Sequence, residues 1–140
     1  MNAISKGLGG PDTPSSFGKR GKYKGIMCDS TYELAFLIYC FDKNISVVRN
    51  KLKFPYYYEN KMFNYYPDFY LPDYDTYIEI KGRDIGPVYE KHYAMLSLGL
   101  KIKLLHYEDL IPCFAHVAEN YDNIHYSISS NNLHTLYDKV

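Results

Sequence analysis

The chain has 140 residues, and its sixteen Lys plus Arg cancel its sixteen Asp plus Glu to a formal net charge of zero. That length suits one domain with a real core. The longest apolar run, residues 34–41, is eight residues against the roughly 18 that a membrane span needs, and the first thirty residues lack a signal-peptide stretch, so a cytoplasmic protein without a membrane partner is expected.

Residues 1–25 are rich in Gly, Ser, Pro and Lys and nearly free of aliphatics, so they read as a flexible arm. The arm holds five basic residues and one acid, a net of +4; residues 26–106 hold ten of each, and residues 107–140 hold one Lys and five acids, a net of −4. The neutral total is therefore a cancellation between a basic arm and an acidic tail. Lys19, Arg20, Lys22 and Lys24 in the arm are candidate phosphate contacts, each neutralised charge releasing counterions; the alternative is a solvated tail.

Residues 30–44 read as a helix, with Leu34, Leu37, Ile38, Phe41 and Ile45 on one face, Ser30 as N-cap and Asn44 as stop. Short β-prone stretches follow at 46–49, 53–58, 63–71 and 76–81. A second helix is predicted over 87–98, with Pro87 in its first turn, Tyr89, Tyr93 and Leu96 along one side, and Gly99 at its C-terminal cap. Residues 101–106 read as a strand and 108–120 as a third helix. Seventeen tyrosines and no tryptophan favour half-buried strands and binding surfaces. Cys28, Cys40 and Cys113 are far apart, with no CxxC, and read as reduced buried thiols rather than zinc ligands or a disulfide framework. The order fits an α/β domain: a mainly antiparallel sheet with a crossover helix to one more strand, flanked by helices.

The informative stretch is YYPDFYLPDYDTYIEIKG, residues 65–82. Turn chemistry at Leu71-Pro72-Asp73-Tyr74-Asp75 makes it a hairpin. A turn centred between Asp73 and Tyr74 sets Asp68 opposite Glu79, with Lys81 on the same face by period-two alternation. Two opposed acids repel, and a divalent cation between them removes the conflict. Oxygen ligands without Cys or His suit Mg²⁺, with Mn²⁺ able to substitute, and the backbone carbonyl of Ile80 is a further oxygen. Such an ion lowers the pKa of a bound water, and Lys81 beside it is placed to hold that water or to stabilise transition-state charge. Arg83, next in sequence after Gly82, is a further candidate phosphate contact.

Pro67-Asp68, ten residues, then Glu79-Ile80-Lys81 resembles the signature of the PD-(D/E)XK, or restriction-endonuclease-like, nuclease superfamily. The element order over 30–106 resembles that superfamily's αβββαβ core, a mixed central sheet flanked by helices. The wider run GKYKGIMCDSTYELAFLIYCFDKNI…YYPDFYLP…YIEIKG is similar to small phage-type homing endonucleases. The resemblance implies a basic arm over 1–25 and one nuclease domain over 26–140, with its core at 30–106 and an acidic helical part at 107–140. It implies a Mg²⁺-dependent hydrolysis of double-stranded DNA at a specific site, in a bacterial host's cytoplasm if phage-encoded, with Asp68 and Glu79 as metal ligands and Lys81 as catalytic lysine. A chain of this size that cuts both strands does so most simply as a homodimer. Relatives add an acid from the first helix, where Glu33 stands; Glu33 also completes a capping box with Ser30, and both readings stay open. The alternatives are a structure-specific nuclease, such as a junction resolvase or repair enzyme, and a non-catalytic DNA-binding module of the same fold.

Overall fold

The computed structural model describes residues 20–81, 86–121 and 133–139. Lys19, Gly82 and Arg83, and the arm before residue 20, lie outside the described residues. The described parts are mixed α/β, with a mixed sheet and three helices. They fall into two compact units, one within Met1–Lys43 and Leu110–Val140, the other Asn44–Asp109. The sequence reading, an arm and one domain, draws no such division. Among the described residues no helix is long and apolar enough to cross a membrane.

The first unit begins with a hairpin where the sequence reading has an arm. Strands β1 (Gly21–Tyr23) and β2 (Ile26–Cys28) pair antiparallel, Gly21 opposite Cys28 and Tyr23 opposite Ile26. The two-residue turn puts Lys24 and Gly25 at φ 49 and 82, the double positive φ that suits a tight hairpin. Tyr23 is buried and meets Phe41 edge-on, ring centroids 5.7 Å apart. The far end of the chain holds this hairpin. Asp138 accepts from the Lys24 and Gly25 amides, both at 2.8 Å, and donates its own N–H to the Lys22 carbonyl at 2.6 Å. The Tyr137 ring lies so close over Gly21 that a Cβ there would sit 2.6 Å from it. Composition averaged over 25 residues hides a hairpin that needs one aromatic, one turn glycine and a partner more than a hundred positions away.

Helix α1 (Thr31–Asp42) starts where the sequence places it, with Ser30 as N-cap. Leu34, Ala35, Phe36, Leu37, Ile38 and Cys40 are all buried, so the helix is enclosed on more than the single stripe that its periodicity marks. The second unit supplies the sheet. Its four strands are β3 (Val48–Arg49), β6 (Phe69–Leu71), β7 (Thr76–Ile80) and β8 (Ile102–Leu105), side by side in that order. Strands β3, β6 and β7 pair antiparallel, while β7 and β8 are parallel; helix α2 (Val88–Ser97) makes the crossover that a parallel pair requires. Helix α3 (Tyr107–Asn120) ends the described core and buries Leu110, Cys113, Phe114 and Val117 at helical spacing.

The strand expected over 63–71 is two strands. Strand β5 (Lys61–Tyr65) belongs to a separate hairpin with β4 (Phe54–Tyr58), turning on Glu59 and Asn60 at φ 51 and 63. The chain leaves that ladder at Tyr66 and Pro67, and Pro67 has no N–H with which to continue it, then joins the larger sheet as β6. Phe54, Tyr56, Tyr65, Tyr77 and Met95 pack as one cluster that ties β4, β5, β7 and α2 together. The three cysteines are free and buried, as expected, and burial pushes the Cys40 and Cys113 thiols up to about 12.

Phe69 is fully buried on β6. Phe69→Ala is expected to cost about 3–5 kcal/mol in urea unfolding, whereas Tyr57→Ala, at a side chain 67% exposed, is expected to stay within about 0.5 kcal/mol.

Candidate active site

The β6–β7 hairpin pairs Leu71 with Thr76, Tyr70 with Tyr77 and Phe69 with Ile78, the register expected from a turn centred between Asp73 and Tyr74. Pro72–Tyr74 form one turn of 3-10 helix, and Asp75 closes it at φ 49. The same register, continued one step beyond the last of these pairs, would set Asp68 opposite Glu79. There the Asp68 carboxylate replaces a ladder bond: its Oδ2 accepts from the Ile80 N–H at 2.8 Å. Ile80, whose carbonyl is expected to be a further metal oxygen, also holds Asp68 through its amide.

The backbone around Asp68 is held from β3. The Asn50 N–H donates to the Asp68 carbonyl at 3.0 Å. Its side-chain amide donates to the carbonyls of Pro67 at 3.0 Å and Leu52 at 2.8 Å. On the other strand, the Lys81 N–H donates to the Leu105 carbonyl at 2.9 Å, so the residue after β7 is still registered against β8.

Asp68, Glu79 and Lys81 come together at this end of the hairpin. Lys81 Nζ is 3.7 Å from Glu79 Oε2, and both side chains are largely shielded from solvent. Arg49 Nη2 is 3.7 Å from Asp68 Oδ1, with its guanidinium 5.0 Å over the Phe69 ring. Each carboxylate therefore has a cation just outside hydrogen-bond range. Burial, and then the Glu79 charge, pushes the Asp68 carboxyl far above the usual carboxylate range; the Ile80 amide, Arg49 and Lys81 only partly offset this.

Two residues at this cluster have roles the sequence reading did not assign. Tyr65, buried on β5, donates its phenol to Glu79 Oε1 at 3.0 Å. Its own pKa is pushed up by burial and by Glu79, so the phenol stays a donor. Lys91 on α2 lies 5.3 Å over the Tyr65 ring and 6.0 Å from that of Tyr56. Burial and the neighbouring Lys81 push its ammonium pKa down, against an upward pull from Glu79 and Asp68. Tyr65 carried the signal of an ordinary strand tyrosine, and Lys91 stands on the helix where relatives of the resembled family place an accessory polar residue, a role the sequence reading did not adopt.

Of the other expected residues, Glu33, Arg20, Lys22 and Lys24 lie in the first unit. Glu33 is buried and accepts from the Asp29 N–H at 2.9 Å, while its own N–H donates to Ser30 Oγ at 3.2 Å. This is a reciprocal helix cap that reaches the Asp29 amide rather than that of Ser30. Arg20 pairs with Asp29 at 3.0 Å. Lys24 lies 5.4 Å over the Phe41 ring, and Lys22 stands on β1.

The donor set fits a hard divalent cation. Among the described residues no group of three His, Cys, Asp or Glu side chains is placed to hold a metal; the acids that would hold one here are Asp68 and Glu79. Mg²⁺ commonly binds through one or two carboxylates and keeps waters and phosphate oxygens for the rest of its shell. Burial and then the Glu79 charge raise the pKa of Asp68, and a cation between the two carboxylates would lower it.

Because the folded pKa of Asp68 is raised above its unfolded value, its contribution to stability is full below about pH 4 and declines as pH rises toward its folded value, about 8. In EDTA, Asp68→Asn is expected to remove that decline and to raise Tm at pH 8 by about 3–6 °C. Mg²⁺ is expected to raise Tm of the unaltered chain more at pH 8 than at pH 6, and to leave Asp68→Asn unmoved. Calorimetry across that pH range checks both signs.

No family model, curated protein or solved structure matches this chain.

Proposed function

We propose that the chain is a metal-dependent DNA endonuclease of the restriction-endonuclease-like fold. The observation that carries this reading is the convergence of Asp68, Glu79 and Lys81 at one end of the β6–β7 hairpin. The strand order β3-β6-β7-β8, with two antiparallel pairs and one parallel pair joined through α2, supports it. So does the position of the β4–β5 hairpin as an insertion between the first two core strands.

In this reading Asp68 and Glu79 hold Mg²⁺ or Mn²⁺. Bound there, the ion supplies Lewis-acid polarisation of a phosphoryl oxygen and a lowered pKa for water. The chain does the rest. Tyr65 fixes the Glu79 carboxylate by its hydrogen bond, and the Ile80 amide fixes that of Asp68. Lys81 orients the attacking water and stabilises the negative charge that develops on the phosphate. Arg49 and Lys91 add positive charge to the same pocket. Glu33 is either a third acid of the site or solely the cap of α1. Arg20, Lys22 and Lys24 are positioning contacts to the DNA backbone. Target choice, by sequence as in homing enzymes or by DNA structure, is set outside these residues.

Plasmid incubated with the protein should be cut in Mg²⁺ or Mn²⁺ and not in EDTA. Asp68→Ala should abolish cutting. Lys81→Ala should lower the rate by about 100-fold or more while keeping the Mg²⁺-dependent rise in Tm. Cutting that survives EDTA, or that Asp68→Ala leaves intact, overturns the proposal.

A further inference from the structure

The side of α2 that the sequence marks as apolar is not buried. Met95 is fully enclosed, but Tyr89, Tyr93 and Leu96 are 73%, 60% and 58% exposed. The Tyr89 and Tyr93 rings stack on each other, centroids 5.9 Å apart and planes 20° from parallel. Across from them β4 presents Tyr57, 67% exposed. Between β4 and α2 runs an open groove of about 370 Å³, lined by Tyr56, Tyr57, Tyr89 and Tyr93 among others, with Glu90 and Ser97 as its polar groups. Nothing in the second unit's core requires these rings to face outward, and a helix that packed by its tyrosine stripe would have buried them.

We propose that this groove binds the bases of an unpaired DNA strand beside the candidate active site. The choice of DNA rests on the nuclease reading; the choice of unpaired bases rests on three features of the groove. First, its walls are tyrosine faces, and base–aromatic stacking is the sequence-tolerant contact of single-strand binding. Duplex DNA hides its base faces, so it has nothing to offer such walls. Second, the segment leading into β4 is basic: residues 49–53 hold Arg49, Lys51 and Lys53 and no acid, while the hairpin itself adds Lys61 against Glu59. Lys53 is exposed two residues before Pro55, a groove residue, and exposed Lys61 pairs with Tyr58 across the hairpin. These charges complement a phosphate backbone, and the Glu90 carboxylate within the groove is an acceptor for exocyclic amino groups of bases. Third, side-chain contacts lead from the groove to the acid pair. Tyr56 lines it, Lys91 lies over both Tyr56 and Tyr65, and Tyr65 donates to Glu79. A strand whose bases stack in the groove brings its backbone toward Lys91 and the two carboxylates. The substrate class is therefore DNA with a single-stranded segment, such as a flap, a branch or a locally opened duplex.

Binding is measured apart from cleavage, by fluorescence anisotropy in EDTA with full-length Asp68→Ala protein. The probes are labelled oligothymidylate, an abasic strand of the same length, the matching duplex, and oligouridylate. Oligothymidylate is expected to bind about 10-fold or more tighter than the abasic strand, which keeps the phosphates and loses the bases. Tyr57→Ala and Tyr93→Ala are each expected to weaken oligothymidylate binding by about 10-fold, and Tyr93→Phe to stay within about twofold, since the π face is kept. Equal binding of the abasic strand or the duplex overturns the proposal, as does indifference to the tyrosine variants. Tighter binding of oligouridylate overturns the assignment to DNA. A Tyr93→Ala change that splits a dimer in sedimentation, without touching oligothymidylate affinity, makes the face a contact between copies and overturns it too. Oligothymidylate binding in a protein that cuts no plasmid would remove the nuclease reading and leave the groove, and plasmid cutting without oligothymidylate binding would do the reverse.

Discussion

The hydrogen bond from the Ile80 amide to the Asp68 carboxylate organises the candidate site. At that point the β6–β7 ladder has run past its last recorded pair, Phe69 with Ile78, and a buried N–H needs a partner. An aspartate side chain supplies it. The bond ties one acid to the strand that carries the other, so Asp68 and Glu79 are set by the register of a single hairpin. Asn50 braces the same point from β3 through Pro67 and the Asp68 carbonyl, which leaves the acid little freedom to swing away. Preorganisation of this kind holds charges where chemistry would need them without reorganisation during the reaction.

The arrangement carries an electrostatic cost when no cation is bound. Two carboxylates share a shielded corner with Arg49 and Lys81, each 3.7 Å from one of them. A structure selected for stability alone would pair or replace such acids. Tyr65 and the Ile80 amide instead orient them, and Lys91 adds a further ammonium from the helix side.

The first unit uses a different device. Its amino-terminal hairpin is too short to bury much surface of its own, since isolated two-stranded hairpins are marginal in water. Tyr23 against Phe41, and the clasp of Asp138 on the Lys24 and Gly25 amides, supply what the hairpin lacks. The acidic tail thus meets part of the basic arm within one chain. In part, the cancelling charges of the two ends are a structural contact.

Local chemistry made much of this legible. The turn residues from Leu71 to Asp75 and the alternation after them are sufficient for the hairpin register, because both signals act within a dozen positions. The same holds for Ser30 as the cap of α1 and Gly99 after α2, at φ 79. What escaped involves distant partners. Pro67 splits one apparent strand between two sheets, which depends on which neighbour each half finds. Alternation assigns Tyr65 to a face but does not say that Glu79 lies beneath its hydroxyl. Helical spacing groups Tyr89, Tyr93 and Leu96 without saying whether that side meets core or solvent. The sequence by itself determined α1, α2 and the β6–β7 register that carries Asp68 and Glu79, since short-range sterics and turn chemistry decide them. Only the tertiary structure decided the burial of that pair, the company of Arg49, Tyr65 and Lys91, and the exposure of the tyrosine stripe, because each depends on packing between segments far apart in the chain.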